Sequence, residues 1–249
     1  MQKAFKYKDL SFDPISEEEV LVCACDVSAS IGYKPNDIIQ INPSITAAFS
    51  LRVAMLELMA INAKPFLLFN LCGNEWENTG KLFYQGIKNE LELAGYPNLT
   101  INGSTEENME TCMSSIGVTL LGRAEYKNLK IRKVQSGQSC FQCGLPYSGH
   151  ALIEHLQDVP TYDDVRKLRS NEIVSEIVPI GSKGALNEAH QTAEANNMVF
   201  TPLSLSKQSL DIAKSSGGPA TSLLVVADRE LEEELEHTFA YVTEIGKIE

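Results

Sequence analysis

One segment, Cys25-Asp26-Val27-Ser28-Ala29-Ser30-Ile31-Gly32-Tyr33-Lys34, organises the rest of this chain. It follows an apolar run, Val20 to Ala24, which predicts a short strand. The acid can ligate Mg²⁺ through oxygen, the small residues let backbone N–H groups approach a phosphate, and the lysine adds a point charge. A solvated turn with an exposed lysine explains the local pattern equally well. The segment lacks the Gly-Lys-Ser/Thr of a Walker loop, so any phosphate chemistry here is of another kind.

The acidic composition argues against some classes of binding partner and is compatible with others. The chain has 249 residues, of which 43% are hydrophobic and 22% are charged, and its formal net charge is −12. It contains no block of basic residues, which argues against nucleic acid as a partner, because clustered Lys and Arg carry binding to the phosphate backbone. An acidic enzyme still binds nucleotides when Mg²⁺ lies between its carboxylates and the phosphates.

The hydropathy pattern predicts no contact with a membrane. The first twelve residues alternate charged and aromatic side chains and lack an apolar signal core. No uninterrupted apolar run approaches the ~20 residues that span a bilayer. We therefore expect a cytoplasmic protein.

The cysteines favour a structural role over a metal site. Cys140 and Cys143 have the spacing of a zinc-ligand pair, but no second pair accompanies them and the four histidines are scattered. Cys23 and Cys25 are too closely spaced to supply such a pair. We expect these cysteines to act as small apolar residues of strands, with a zinc site as the weaker alternative.

The order of predicted elements indicates an α+β protein of two halves, residues 1–124 and 125–249. Residues 3–19 look irregular. The remaining predicted strands and helices follow from apolar runs, from helical periodicity and from Gly/Pro breaks. The predicted strands are Val20–Ala24, Ile38–Ile41, Phe66–Leu71, Leu99–Ile101, Ser115–Gly122, Ser139–Leu145, one beginning at Val174, Ser222–Ala227 and Tyr241–Gly246, and the predicted helices are Ile45–Asn62, Gly80–Ala94, Ala151–Leu156, Tyr162–Leu168, Ala185 to about Asn196 and Glu230–Thr238.

Polar loops follow two of the early strands. Residues 73–78, after the strand that ends at Leu71, contain two acids and two asparagines. In Asn102-Gly103-Ser104-Thr105-Glu106-Glu107-Asn108, Gly103 permits close backbone approach, and Glu106 and Asn108 offer oxygen ligands. An ordinary turn with an acidic tip is an equal alternative. Arg52 and Glu57 in the first predicted helix are read as a solvated face.

Eight segments, taken in their order along the chain, carry a resemblance to a known family. They are Asp26 to Lys34, Asn62-Ala63-Lys64-Pro65, Asn102 to Glu106, Ile116 to Thr119, Gly144 to His150, Pro179 to Gly184, Ser216 to Ala220 and Glu244-Ile245-Gly246. These segments resemble the aminoimidazole ribonucleotide synthase (PurM-like) superfamily, which includes thiamine-monophosphate kinase and selenophosphate synthase. Within this superfamily, the chain is most similar to the short α-ribazole kinase type of cobamide salvage. Arg52 stands roughly where the wider family has Asn-Asp, and Asn-Gly-Ser-Thr-Glu replaces Gly-Gly-Glu-Thr.

The resemblance implies a two-domain PurM-like fold in which the mixed sheets of two N-terminal domains form a shared β-barrel in a homodimer, with a C-terminal α+β domain beside each. It also implies the cofactors ATP and Mg²⁺ and a small, nucleoside-like acceptor. The implied catalytic residues are Asp26, Lys34 and Arg52, the implied metal ligands are Asp26 and Glu106, and the implied nucleotide-binding residues are Ser28, Ser30, Gly32, Lys34, Asn102, Gly103, Ser104 and Thr105.

Three functions fit these expectations. The first is a kinase that phosphorylates the 5′-hydroxyl of α-ribazole. The second is an ATP-dependent cyclising or dehydrating ligase, in which ATP activates an amide oxygen and the phosphate is released. The third is a binding module that keeps the fold without catalysis.

Overall fold

The computed structural model describes residues 3–249, which divide into two compact units. The first unit runs to Leu58 and resumes over Ala63–Lys127, and the second contains Met59–Asn62 and Asn128–Glu249. The sequence places the domain boundary after residue 124, three residues before the first unit ends at Lys127.

A six-stranded sheet forms the body of the N-terminal unit, in the order β1-β2-β3-β8-β6-β7. Its neighbouring strands are antiparallel except for β6 and β7, which are parallel. Two short strands, β4 and β5, pair with each other. The elements up to residue 125 are β1 Phe5–Tyr7, β2 Leu10–Pro14, β3 Glu19–Ala29, β4 Ile31–Gly32, β5 Ile39–Gln40, α1 Pro43–Ala60, β6 Lys64–Cys72, α2 Lys81–Leu93, β7 Thr100–Thr105 and β8 Ser115–Glu125.

Strand β3 is longer than the sequence predicts. The prediction ended the strand at Ala24, but β3 pairs with β8 from Glu19 to Ala29 without interruption. Asp26 and Ser28 therefore belong to a strand, whereas the sequence placed them in a turn. The pairing with a partner of equal length outweighs the low strand propensity of Asp and Ser.

The two faces of this sheet differ in what covers them. Val22 and Ala24 of β3 are buried on one face, where Leu58 of α1 lies against Gly122 of β8. Residues of a strand alternate between faces, and register partners share a face. On the other face, Val27 is 73% exposed and Leu71 is 53% exposed. We call these the covered face and the open face.

Helix α1 is apolar enough in length and composition to pass as a membrane span. It is the one such helix among residues 3–249, and 61% of its span is buried inside the protein. A core helix of a soluble protein passes the same test. Here Leu51, Met55 and Leu58 are fully buried, so the helix forms part of the core.

The expectation that residues 3–19 are irregular is wrong. Strands β1 and β2 form a hairpin in which Phe5 pairs with Phe12, and their rings stack with centroids 4.7 Å apart. The alternation of apolar and polar residues was present, with Leu10 and Phe12 buried and Ser11 and Asp13 exposed. The strands are short and carry charge, which is typical of strands at the edge of a sheet.

The C-terminal unit contains a second, five-stranded antiparallel sheet in the order β10-β12-β9-β13-β11. Leu224 and Val226 of its strands pack with Ala185 and Ala189 in one buried core. The elements after residue 125 are β9 Ser139–Cys143, α3 His150–Glu154, α4 Tyr162–Ser170, β10 Val174–Pro179, α5 Ala185–Ala195, β11 Phe200–Pro202, α6 Lys207–Lys214, β12 Leu223–Ala227, α7 Glu232–Thr238 and β13 Val242–Ile248.

Cys140 and Cys143 lie in β9 and are buried, as expected of strand cysteines. Burial raises the pKa of the Cys143 thiol well above its ordinary value, which disfavours the thiolate that a metal needs.

Candidate functional site

The N-terminal unit gathers its polar loops at one edge of the sheet. Strands β3, β6 and β7 run in the same direction, so their carboxyl ends lie at the same edge, where the antiparallel β8 begins. The row of register partners at this edge consists of Ser28, Ile116, Cys72 and Thr105. The loops that follow the three strands, residues 30–42, 73–80 and 106–114, therefore meet there. The sequence indicated each loop separately, and the sheet brings them together.

Asp37 fixes the 30–42 loop onto the start of β8. Its carboxylate accepts hydrogen bonds from the Lys34 N–H at 2.8 Å, from the Ser114 N–H at 2.7 Å and from the Ser114 hydroxyl at 2.7 Å. Gly32 lies so close to this group that an added Cβ would be 2.2 Å from Ser114 Oγ. Ser30 has a positive φ of 64° and donates its N–H to the Ser114 carbonyl at 2.8 Å. The loop is thus held in one conformation, with Lys34 at a defined place.

Lys34 reaches across to the loop after β6. Its Nζ donates to Glu75 Oε2 at 2.6 Å, and both side chains are partly buried. The Thr79 hydroxyl donates to the other carboxylate oxygen at 2.8 Å. Partial burial raises the pKa of Glu75, but the hydrogen bonds from Lys34 and Thr79 outweigh it and lower that pKa. The site therefore holds a fixed cation whose carboxylate partner stays ionised.

Asn74 joins the other two loops. Its amide nitrogen donates to Thr111 Oγ1 at 2.6 Å and to the Met113 carbonyl at 2.8 Å, while its Oδ1 accepts from the Ser115 N–H at 2.8 Å. Its carbonyl accepts the Glu106 N–H at 3.0 Å. Asn74 is fully buried, so its side chain makes its hydrogen bonds within the protein and ties the two loops together.

Asp26 lies on the covered face, beside Ser50 of α1. Burial raises the pKa of Asp26 to about 6, and the Ser50 side chain and the Val27 backbone lower it only in part. No basic residue contributes to this shift. A carboxylate held in this way is poorly solvated and gains from a cation in its vicinity.

The predicted nucleotide-binding residues are divided between the two faces. Three of them lie on the covered face, in register with buried residues, namely Ser28, Gly103 and Thr105. Two lie on the open face, where Asn102 pairs with Phe69 and Ser104 pairs with Leu71. The expected loop 102–108 is a strand as far as Thr105, because β7 pairs in parallel with β6 over six residues. Gly103 permits a close approach of protein rather than ligand, since its Cβ would lie 2.1 Å from the Asn70 carbonyl oxygen.

The two predicted metal ligands are not brought together within one chain. Asp26 and Gly103 occupy the same row of the sheet, with β8 and β6 between them, and three strand spacings separate their Cα atoms by about 14 Å. Glu106 follows three residues later, and its Oε1 accepts the N–H groups of Asn108 and Met109 at 2.7 and 3.1 Å. Within residues 3–249 no group of three or more His, Cys, Asp or Glu side chains could hold a metal ion. Metal binding by Asp26 and Glu106 stays a prediction.

Arg52 is placed in the core rather than on a solvated face. Its Nη1 lies 3.1 Å from Glu90 Oε1 of α2, both side chains are 8% exposed, and the guanidinium lies 5.7 Å from the centre of the Phe49 ring. The interpretation of Arg52 as a solvated residue is wrong, because α2 covers that side of α1. Its contact with phosphate stays a prediction that this ion pair disfavours.

The residues that sequence reasoning missed are those that hold the loops together, namely Asp37, Asn74, Glu75 and Ser114. The polar loop after β6 marked Asn74 and Glu75 as candidates, but nothing in the pattern paired Glu75 with Lys34, 41 residues away. Asp37 carried no signal beyond a turn. Pairings of this kind depend on the order of strands in the sheet.

Comparison with known proteins rests on structure alone, since no family model and no curated protein matches the chain. A thiamine-monophosphate kinase of Stenotrophomonas maltophilia superimposes with a TM-score of 0.65 at 18% identity, over 95% of this chain and 84% of that one. AaThiL complexed with AMPPCP and TMP gives 0.66 at 17%, over 97% and 84%. Thermotoga maritima PurL complexed with AMPPCP gives 0.60 at 13%, over 96% of this chain but only 37% of its own. The chain therefore shares the fold of these proteins, and its mixed sheets and helices agree with the expected fold class.

Proposed function

We propose that this chain is an ATP- and Mg²⁺-dependent kinase of a small, nucleoside-like hydroxyl compound, with the 5′-hydroxyl of α-ribazole as the acceptor. The observation that carries the proposal is the meeting of three loops around Lys34 and Glu75 at one edge of a sheet that also bears the poorly solvated Asp26. The fold supports it, because one protein that shares this fold has been solved with AMPPCP and TMP.

The residues present fit a magnesium nucleotide. Mg²⁺ is usually held by one or two carboxylates together with substrate phosphates and water, so Asp26 alone is a sufficient protein anchor, and Glu106 would serve a separate part of the nucleotide. Bound Mg²⁺ neutralises charge on the phosphates. Lys34 adds a fixed cation for the phosphate chain, and the small residues Ser28, Ser30 and Gly32 precede it in the same segment.

The protein's part in the reaction is to position the reactants and stabilise charge. The acceptor oxygen forms a bond to the γ-phosphorus while the bond from that phosphorus to the β–γ bridging oxygen breaks, which releases ADP. The hydroxyl proton leaves to water or to a carboxylate. Lys34 holds its place through the transfer, because Asp37 and Glu75 fix its backbone and its side chain.

The proposal includes a homodimer formed through the open face. Apolar residues line that face in register, with Cys23, Leu121 and Leu67 in one row and Val27, Gly117 and Leu71 in another. A depression of about 540 Å³ beside the β1–β2 hairpin extends this face past Cys23 and Leu21. Association would also bring Asn102 and Ser104, which point to this face, to the partner chain.

The central experiment separates kinase, ligase and silent module. Purified protein is incubated with Mg-ATP and α-ribazole, and phosphorus is followed by NMR. A kinase yields α-ribazole phosphate and ADP in equal amounts. A ligase releases inorganic phosphate only when an amide substrate is supplied in place of α-ribazole, and a silent module consumes ATP with neither compound. For binding, Mg-ATP at 100 times its dissociation constant should add ~2.7 kcal/mol to the free energy of unfolding. Absence of both turnover and a thermal shift at millimolar Mg-ATP would reject the proposal.

Two variants sharpen this experiment. Asp26→Asn should lose turnover and keep the fold, whereas Glu92→Gln, a change of an exposed acid near the end of α2, should keep both. For the dimer, sedimentation should give twice the 27.4 kDa of one chain, and Val27→Asp should give a monomer, because it puts a charge into the apolar interface. A monomeric parent protein would contradict the proposed homodimer and its shared β-barrel.

A further inference from the structure

Trp76 and Tyr84 form an exposed aromatic pair beside the loops of the site. Trp76 is 37% exposed and Tyr84 is 39% exposed, and their rings meet edge to face with centroids 5.8 Å apart at 62°. Trp76 directly follows Glu75, the partner of Lys34. Aromatic rings are normally buried for their large apolar area, so an exposed pair at a polar site indicates a function other than packing.

The backbone around Trp76 is held in an unfavourable conformation. Asn78 has φ 68° and ψ −82°, inside a turn that runs from Trp76 to Gly80. These angles are those of a classic γ-turn, which is rare and strained. Strain of this kind persists where the surroundings impose it, and it concentrates at ligand sites.

Three contacts hold the chain segment that carries Trp76. The backbone N–H of Trp76 donates to Glu107 Oε1 at 2.8 Å, and the Thr105 hydroxyl donates to the same oxygen at 2.7 Å. Gly80 lies under the ring, and a Cβ added there would be 3.3 Å from Trp76 Cε3 and 2.9 Å from the Glu75 carbonyl oxygen. The loop is thus tied to β7 on one side and packed on a glycine on the other, which keeps one face of the aromatic pair available.

We infer that the Trp76–Tyr84 pair is the stacking platform for a planar heteroaromatic ring of the phosphoryl acceptor. This inference rests on the proposed function. If Lys34 contacts the phosphates that react, a ring beside Glu75 lies about one sugar away from the transferred group. The adenine of ATP is separated from that group by a ribose and two further phosphates. The platform is therefore in place for the ring of an acceptor nucleoside rather than for adenine.

The test uses the fact that Trp76 is the only tryptophan of the chain. Its fluorescence is followed while α-ribazole, its free base dimethylbenzimidazole, thiamine monophosphate, ribose or Mg-ADP is added. The ring compound that is the acceptor should change the emission in a saturable way, whereas ribose should not. Stacking on one aromatic side chain is worth ~1–3 kcal/mol, so Tyr84→Ala should weaken binding about 5- to 150-fold.

Leu93→Ala is the matched control, because Leu93 is another exposed apolar residue at the far end of α2, 68% exposed. It should leave the titration unchanged. The effect of Trp76→Ala, measured by calorimetry and kinetics, should fall on the KM for the acceptor and not on the KM for ATP.

The outcomes separate this inference from the proposed function. Ring binding at Trp76 without phosphoryl transfer would reject the kinase and keep the platform. Phosphoryl transfer with an acceptor KM that Trp76→Ala does not alter would keep the kinase and overturn the platform. A response to Mg-ADP alone, or to none of the ring compounds, would also overturn it.

Discussion

Replacing Asp26 by Asn should make the protein more stable while removing its proposed activity. Asp26 has a raised pKa of about 6 against an ordinary value of 3.8. Each unit of such a shift is 1.36 kcal/mol, so the full difference corresponds to about 3 kcal/mol. Because Asp26 is only half-buried, solvent screening reduces this to about 2 kcal/mol. Asn has similar shape and no charge, so Asp26→Asn should gain about that amount above pH 7.

The direction of the Asp26 pKa shift determines how the stability gain of Asp26→Asn depends on pH. A carboxyl group whose pKa is raised on folding is penalised when ionised, so the penalty is absent below the unfolded pKa, near 4, and complete above about 6. The advantage of Asp26→Asn should therefore fall by about half between pH 7.5 and pH 5. This pattern is opposite to that of a salt-bridged acid, whose removal costs stability at neutral pH.

Urea unfolding of the parent, of Asp26→Asn and of the control Glu92→Gln at pH 5 and at pH 7.5 measures these differences. An Asp26→Asn variant that is less stable than the parent at pH 7.5, or whose advantage does not change with pH, would refute the reasoning. Mg-ATP adds a second readout. If Asp26 anchors the metal, the ligand should stabilise the parent more than the variant, because only the parent has a poorly solvated charge to neutralise.

Two further predictions concern the helices behind the sheet. Gly86→Ala should destabilise the protein by about 1–3 kcal/mol, although alanine favours helices, because its Cβ would lie 1.9 Å from the Ser44 carbonyl oxygen. The neighbouring control Gln85→Ala should change the free energy of unfolding by no more than about 0.5 kcal/mol. Equal stability of the two variants in urea would contradict this close packing. Arg52→Met should cost about 3–5 kcal/mol, because it breaks the buried ion pair with Glu90. A variant that unfolds like the parent but fails to bind Mg-ATP would instead assign Arg52 to phosphate.

Local pattern was enough for most elements of the fold. Helix α2 and strand β8 were predicted close to their observed limits, since helical periodicity and a long apolar alternation are strong signals. The errors in the predicted strand limits occur where pairing with a neighbouring strand determines how far a strand extends. Strand β7 continues through Asn102-Gly103-Ser104, residues that are rare in strands, because β6 supplies a parallel partner. Strand β3 runs past Asp26 for the same reason.

The candidate site was predictable only as a list of loops. Asp26 and Lys34 stand out because an acid and a lysine among small residues follow an apolar run. Their partners do not stand out, since Glu75 and Ser114 become neighbours of the 30–42 loop only through the strand order β3-β8-β6. A sequence read from one end to the other gives no register between strands this far apart.

The predicted site residues lie on both faces of one sheet, and this limits which of them can contact the same nucleotide. Asp26 and Ser28 lie on the covered face, whereas Asn102 and Ser104 lie on the open face with Val27 and Leu71. A single nucleotide does not contact both faces through the middle of a sheet, so the groups can act together only around the edge where the strands end. If Asn102 and Ser104 of the open face contact the nucleotide, a second copy of the chain must supply the rest of that part of the site. Disruption of the dimer by Val27→Asp should then reduce Mg-ATP binding, although Asp26 and Lys34 remain in place. Full Mg-ATP binding by a monomeric variant would place the whole site at the edge of one chain and leave Asn102 and Ser104 outside it.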